Sequence, residues 1–213
     1  MQYLVMAQRS SRRPRAARVR VIDGCRLAMR MGILILEGAR NMEIRDAVEA
    51  DFDAITAIYN EVLTHSTAIY NDQPVTVEDR IEWGQGRRQQ GYPLLVAADG
   101  GRVCGFGTFG DFRPWPGYRY TVEGTIHVHA STRGQGIGGD LLRELIVRAK
   151  AIGKHSMLAG VDSENAASLR FLERFGFKRV GYLPEVGYKF ERFLDLVFLQ
   201  YWIAPPKKGA RGA

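Results

Sequence analysis

The sequence predicts an α/β domain over residues 42–203, a mixed sheet flanked by helices. Three observations predict it. Short β-favouring runs alternate with segments whose apolar residues recur at helical spacing. Asp99-Gly100-Gly101 joins two of the β-favouring runs, which is a hairpin signal and makes part of the sheet antiparallel. Residues 121–142 read as a strand, a glycine-rich turn and the start of a helix, an arrangement that brings main chain and free N–H groups up to an anion.

Taken in order, residues 43–45 form a short strand and 49–65 a helix with Phe52, Ile55, Ile58, Tyr59, Val62 and Leu63 on one side. A loop at 67–74 leads to a second helix over 77–90, where Ile81 and Trp83 are the apolar contribution and Gly91 the stop. Strands at 93–98 and 102–109 follow, then a loop carrying Phe112, Arg113, Pro114, Trp115, Pro116 and Tyr118. The strand at 121–129 sets Val122, Ile126 and Val128 against Glu123, Thr125, His127 and His129. Past the glycines, Leu141, Leu142, Leu145, Ile146 and Ala149 mark a helix that stops near Gly153. Residues 157–161 are strand, and Asp162-Ser163-Glu164-Asn165 caps a helix with Leu169, Leu172 and Phe175 that Gly176 closes. Two last strands, 177–182 and 195–203, lie around Lys189-Phe190-Glu191-Arg192.

A chain of 213 residues, 46% of them hydrophobic, buries a core without disulfide or metal staples. Its net charge of +7 suggests a nucleic-acid partner until the charges are located. Residues 1–41 hold nine arginines against Asp23 and Glu37, residues 42–203 hold 18 basic against 21 acidic residues, and the last ten hold Lys207, Lys208 and Arg211. The folded part is therefore mildly acidic, and neither a nucleic acid nor a membrane is expected as a partner, since no apolar run is long enough to span a bilayer. Residues 1–41 read as a basic extension, disordered or preceding a natural start at Met42, with a targeting segment or a nucleic-acid-binding arm as alternatives; residues 204–213 read as a disordered basic tail. Two cysteines, Cys25 and Cys104, without a CxxC pair point to a reducing, cytoplasmic setting and no metal centre. His127 and His129 share a strand face, but no third ligand is suggested near them.

The glycines admit more than one parsing. Gly134, Gly136 and Gly139 match the dinucleotide pattern G-x-G-x-x-G, yet Ala130-Ser131-Thr132-Arg133 separates them from the strand, and the remaining chain is short for a doubly wound sheet. No Lys-Ser or Lys-Thr follows them, so a P-loop fails. Read as Arg133-x-x-Gly136-x-Gly138, the stretch resembles the acyl-CoA pyrophosphate loop of the GNAT superfamily of N-acetyltransferases. The element order β-α-α-β-β-β-loop-α-β-α-β-β resembles the same superfamily over residues 42–203. More specific phrases resemble its phosphinothricin and L-methionine sulfoximine acetyltransferase branch: Thr67-Ala68-Ile69-Tyr70-Asn71, Gln90-Gly91-Tyr92-Pro93, Asp111-Phe112-Arg113-Pro114, Thr121-Val122-Glu123, Asn165-Ala166-Ala167-Ser168, and Val186-Gly187-Tyr188-Lys189-Phe190 with Leu194-Asp195-Leu196.

The resemblance implies a twisted, mainly antiparallel sheet whose fourth and fifth strands, here at 121–129 and 157–161, splay apart. It implies direct transfer of acetyl from acetyl-CoA, a cosubstrate, to the primary amine of a small amino-acid-like molecule, with both bound together. Main-chain N–H groups of Gly134, Gln135, Gly136, Ile137, Gly138 and Gly139 would hold the pyrophosphate, with Arg133 at the rim. Ile126, His127 and Val128 would pair with the pantetheine arm, the Val128 N–H would polarise the thioester carbonyl, and Asn165 would meet the cosubstrate from the far side. Glu123 stands at the general-base position. Arg113 and Arg119 are candidates to grip a substrate carboxylate, and Tyr70, Tyr92, Pro114, Trp115 and Tyr118 to wall its pocket. Family members are commonly homodimers.

Three positions depart from the branch. Leu172 stands where a histidine or tyrosine usually follows the asparagine by seven residues and can protonate the departing thiolate. His127 stands in place of the usual tyrosine, and Glu191 in place of a glycine. Two alternatives therefore accompany the leading reading: a polyamine, aminoglycoside or protein amine as acceptor, and an acyl-CoA-binding module without turnover.

Overall fold

The computed structural model describes residues 27–30, 33–36 and 41–204. The chain forms two units, residues 1–40 and 41–213. In the first, β1 (Leu27–Arg30) and β2 (Ile33–Leu36) pair antiparallel, Leu27 opposite Leu36 and Arg30 opposite Ile33, where the sequence pattern suggested no element. The disorder expected for the rest of the extension and for the tail beyond Ala204 falls outside the described residues.

The second unit runs β3 (Met42–Asp46), a 3-10 turn at Glu49–Asp51, α1 (Phe52–His65), α2 (Val77–Gln89), β4 (Leu94–Asp99) and β5 (Arg102–Asp111). After a 3-10 turn at Pro116–Tyr118 come β6 (Thr121–Val128), a further 3-10 turn at Ala130–Thr132, α3 (Ile137–Ala151), β7 (Ser156–Asp162), α4 (Ala166–Arg174), β8 (Lys178–Lys189) and β9 (Arg192–Trp202). Seven strands make one sheet in the order β3-β4-β5-β6-β7-β9-β8, antiparallel throughout except where β6 runs parallel to β7. This is the mixed, mainly antiparallel α/β class that the sequence predicts.

Both faces of the sheet are covered. Leu141, Leu142, Leu145 and Ala149 of α3, with Leu169 and Leu172 of α4, pack on Leu95, Val122, Met157 and Leu199. Phe52, Ile55 and Ile58 of α1 pack on Leu94, Val96 and Phe106 from the other side. Successive residues of β4 thus point into opposite cores, which is why Leu94-Leu95-Val96-Ala97-Ala98 is apolar without alternation. On α2, Gly84 lets the helix lie against Phe52, for a Cβ there would come within 2.5 Å of the ring.

Two boundaries differ from the sequence pattern. The third long helix begins at Ile137, four residues before the apolar periodicity shows, because the N–H groups of Gly139 and Asp140 both close onto the Gly136 carbonyl, at 2.9 and 3.2 Å. The segment around Lys189 is a continuous hairpin: Lys189 pairs with Arg192, leaving Phe190 and Glu191 as the two central residues of a tight turn. Both take positive φ, 51° and 59°, the conformation of a type I′ turn.

A side chain other than glycine, asparagine or aspartate is strained at these positions. Glu191→Gly is expected to stabilise the fold by about 1 kcal/mol, read as a rise of about 2–4 °C in the thermal midpoint. A lowered midpoint would mean that the turn does not hold this conformation.

Candidate active site

β6 and β7 pair over only Thr121–Ser156, Val122–Met157 and Glu123–Leu158. From there β7 continues against β9 as far as Asp162 opposite Leu196, while β6 continues against β5 as far as Val128 opposite Gly105. The two strands part immediately after Glu123, giving the expected splay. Within β6, alternate residues bond to the same neighbour. The Phe112 N–H donates to the Thr121 carbonyl at 3.4 Å and the His129 N–H to the Cys104 carbonyl at 2.9 Å, so the odd-numbered residues face β5. The main-chain groups of Ile126 and Val128 therefore face the gap. Those of His127 belong to the β5 ladder, which removes His127 from the set expected to pair with a pantetheine arm.

The gap holds a cavity of about 150 Å³, bordered by Gly124 and Ile126 on one strand, Gly160 and Asp162 on the other, and Asn165 at the head of α4. At its helical end, Gly136 takes φ of +89° and caps α3 without a side chain. Among the described residues no acceptor faces the N–H groups of Ile137 and Gly138, which sit at the positive end of the helix dipole. Gly139 is different from the donor expected: its N–H is engaged by Gly136, and its lack of a side chain serves packing, since a Cβ would lie 2.8 Å from the Phe175 ring. Gly134, at φ of +75°, lets the loop turn, and the Gln135 amide reaches the Ser131 carbonyl at 3.4 Å. Arg133 is tied down, with Nε 3.0 Å from the Val128 carbonyl and a terminal nitrogen 3.7 Å from Glu61. An exposed helix N-terminus leading to an unpaired strand edge fits a ligand with an anionic head and an amide-bearing arm.

At the other end stands Glu123. Burial pushes its carboxyl up from the ordinary value, against the pull of the Arg113 guanidinium. Its Oε1 lies over Gly160, 3.4 Å from where a Cβ would be, with Leu196 and Phe198 beside it. Gly160 thus leaves the strand face beneath the carboxylate open, a neighbourhood invisible in a strand that reads as ordinary core. Arg113 stacks on Phe112 at 4.4 Å and is near enough to act on Glu123, whereas Arg119 lies over Tyr120 and donates to the Pro116 carbonyl at 3.0 Å. Tyr70 lies against Gly187, with its hydroxyl 3.4 Å from the Asp195 carbonyl; burial, then Asp162 and Asp195, raise its pKa.

The loop that carries Tyr70 is held by Lys189. That side chain is 1% exposed, and its ammonium donates to the carbonyls of Leu63, Ser66 and Ile69 at 2.5, 2.9 and 2.7 Å. Other expected wall residues are not brought in. Pro114 is exposed, Trp115 is 72% exposed, and the Tyr118 ring packs on Phe112. Tyr92 lies in the core, bonded to Asp111 and Lys154.

Asn165 borders the cavity and also caps α4, its Oδ1 accepting the Ser168 N–H at 3.1 Å. Leu172 is buried and lines the same cavity. His127 packs edge-on to Tyr59 and against Phe106; burial, then Arg80 and Arg133, lower its pKa to about 4. The imidazole is neutral at pH 7, because protonating it inside the core would leave its charge without water. Because an unfolded histidine binds its proton near pH 6.5, the unfolded chain binds more protons between there and pH 4, and stability falls as pH falls through that window. His127 is expected to cost about 2 kcal/mol between pH 7 and pH 5. Urea midpoints at the two pH values should show that loss in the wild type and its absence in His127→Tyr; equal losses would contradict it.

Comparison with known proteins agrees with this geometry. The sequence profile of the acetyltransferase (GNAT) family matches residues 53–177. An L-methionine sulfoximine/L-methionine sulfone acetyltransferase of Salmonella typhimurium is 46% identical over 159 residues, 75% of this chain and 93% of that one. An N-acetyltransferase of Staphylococcus aureus superposes with a TM-score of 0.76 at 45% identity, covering 77% of this chain and 99% of the other. A phosphinothricin acetyltransferase of Sinorhizobium meliloti, solved in complex with acetyl-CoA, superposes at 0.73 with 33% identity, over 79% and 94% of the two chains. A family profile over more than half of the chain and a relative 46% identical across nearly its whole length make this chain a member of the acetyltransferase (GNAT) family.

Proposed function

We propose that this acetyltransferase moves the acetyl group of acetyl-CoA directly to the primary amine of a small amino-acid-like substrate of the methionine sulfoximine or phosphinothricin type. The observation that carries the reading is the place of Glu123: a partly buried carboxylate at the point where β6 leaves β7, in line with the open edge of Ile126 and Val128. The relatives that act on methionine sulfoximine and on phosphinothricin support the substrate class.

Each group then has a task. The N–H groups of Ile137 and Gly138, with those of the preceding loop, hold the pyrophosphate. The main chain of Ile126 and Val128 lines up the pantetheine arm, and the Val128 N–H donates to the thioester oxygen as negative charge develops there. Only a free amine attacks a thioester, and Glu123, raised by burial, takes the amine proton through water. The new C–N bond forms as the C–S bond breaks, and the sulfur departs as a thiolate, for which Leu172 offers no proton and water suffices. Arg113 faces the substrate carboxylate with its planar fork. Tyr182, Val186, Tyr188, Phe190 and Phe193 are exposed along the β8–β9 hairpin, which includes the sheet's edge strand, and this apolar surface supports the homodimer that the family implies. Cys104, a buried free thiol, supports a cytoplasmic location.

The test is release of CoA thiol from acetyl-CoA by the full chain, with methionine sulfoximine, methionine sulfone, phosphinothricin and the common amino acids as acceptors. Glu123→Gln is expected to lower kcat by roughly 10²–10⁴ with the KM for acetyl-CoA unchanged. Glu123 works as the ionised base, so kcat/KM falls as pH falls through its raised pKa, and Arg113→Gln moves that acid limb to higher pH by removing the charge that opposes the shift. Release indifferent to Glu123→Gln, or none with any acceptor, would overturn the assignment.

A further inference from the structure

Asp162 ends β7 with 2% of its surface exposed. One carboxylate oxygen, Oδ1, accepts the Glu164 N–H at 3.0 Å in the turn before α4. The other, Oδ2, is buried and has no partner among the described residues. A buried carboxylate oxygen without a donor is costly, and a water, an ion or a ligand is what completes such a group. Arg192, the cation that feels its charge, is paired with Glu164 at 2.7 Å instead.

The direction of the side chain follows from the strand. Leu158, Gly160 and Asp162 alternate onto one face of β7. That is the face on which Glu123 lies over Gly160, and Tyr70 feels the charge of Asp162 from the same side. Two residues of strand rise separate Gly160 from Asp162, about 7 Å. Gly160 and Asp162 border the cavity that opens between the strands, and Glu123, whose Oε1 reaches over Gly160, stands beside it.

We infer that Asp162 binds the ammonium group of the amine substrate, holding it beside Gly160 while Glu123 takes its proton. The inference rests on the acetyltransfer reading above and names the group that selects for a cationic amine. A primary ammonium has three donors, enough to satisfy Oδ2 and still present one N–H toward Glu123. The substrate enters as the cation, the form that predominates at neutral pH, and is desolvated against an anion already in place. With Arg113 at the substrate carboxylate, the site recognises both ends of a zwitterion.

Asp162→Asn tests this in the full-length enzyme, because an asparagine Oδ1 still accepts the Glu164 N–H and keeps the turn before α4. Methionine sulfone is the acceptor, and its desamino analogue, 4-(methylsulfonyl)butanoate, is the competitive inhibitor that lacks the ammonium. The KM for methionine sulfone is expected to rise roughly ten- to a hundredfold, with the KM for acetyl-CoA unchanged and the inhibition constant of the desamino acid within about twofold of wild type. Three results in the variant overturn the inference: an unchanged KM for the amine, a raised KM for acetyl-CoA in its place, which would turn Oδ2 toward the pantetheine arm, or equal weakening of amine and desamino acid, which would make the role structural. A wild type that turns over no amine at all overturns the acetyltransfer reading itself, and this inference with it.

Discussion

β6 and β7 share three residue pairs and then separate, and the separation leaves the main-chain groups of Ile126 and Val128 without a strand to bond. Arg133 Nε takes up the Val128 carbonyl, and the remaining main-chain groups of this half-buried edge are open to a strand-like ligand. The strands can part because each keeps another neighbour: β6 stays on β5 through Val128, and β7 stays on β9 through Asp162. Leu142 and Leu145 of α3 lie beneath the opening and line it. The same separation sets the order of the groups along the gap, with the α3 N-terminus at the wide end and Glu123 at the point of divergence.

The acceptor side depends on a second anchor. Lys189 carries its ammonium to the C-terminal end of α1 and engages the carbonyls of Leu63, Ser66 and Ile69, so the loop bearing Tyr70 is bound to β8 by this side chain as well as by the Tyr70 ring on Gly187. Burial pulls this ammonium below its ordinary pKa, while the helix terminus and Asp72 favour the charged form. β8 and β9 form the longest hairpin of the sheet, and the Tyr70 hydroxyl donates to the Asp195 carbonyl on β9, which joins the loop after α1 to the last strands.

Much of this was legible in the sequence. Glycines that must turn a strand into a helix leave a local signature, so the loop at Gly134 and Gly136 could be placed before any coordinates. Glu123 was recognisable from its phrase and the strand around it. Other features depend on register. That Ile126 and Val128, and not His127, face the gap follows from which residues of β6 bond to β5, and no local pattern fixes that parity. Gly160 reads as an ordinary residue of a buried strand until Glu123 is seen above it, and Asp162 reads only as the start of a helix cap, a role that its Oδ1 does fill. The hairpin turn was hidden because Phe190 and Glu191 occupy positive-φ positions that glycine or asparagine normally advertises. Arg113 and Arg119 were equal candidates in one loop, and only the fold turns one toward Glu123 and the other toward Tyr120.

Residue-resolved amide exchange across β6, with and without acetyl-CoA, tests most directly whether the split between β6 and β7 is the cosubstrate slot. The amides of Ile126 and Val128 should exchange rapidly in the free protein and slow on binding, while those of Thr125 and His127, already bonded to β5, should be protected in both states. Protection at Ile126 and Val128 that does not respond to acetyl-CoA, or a response centred on His127, would contradict the account.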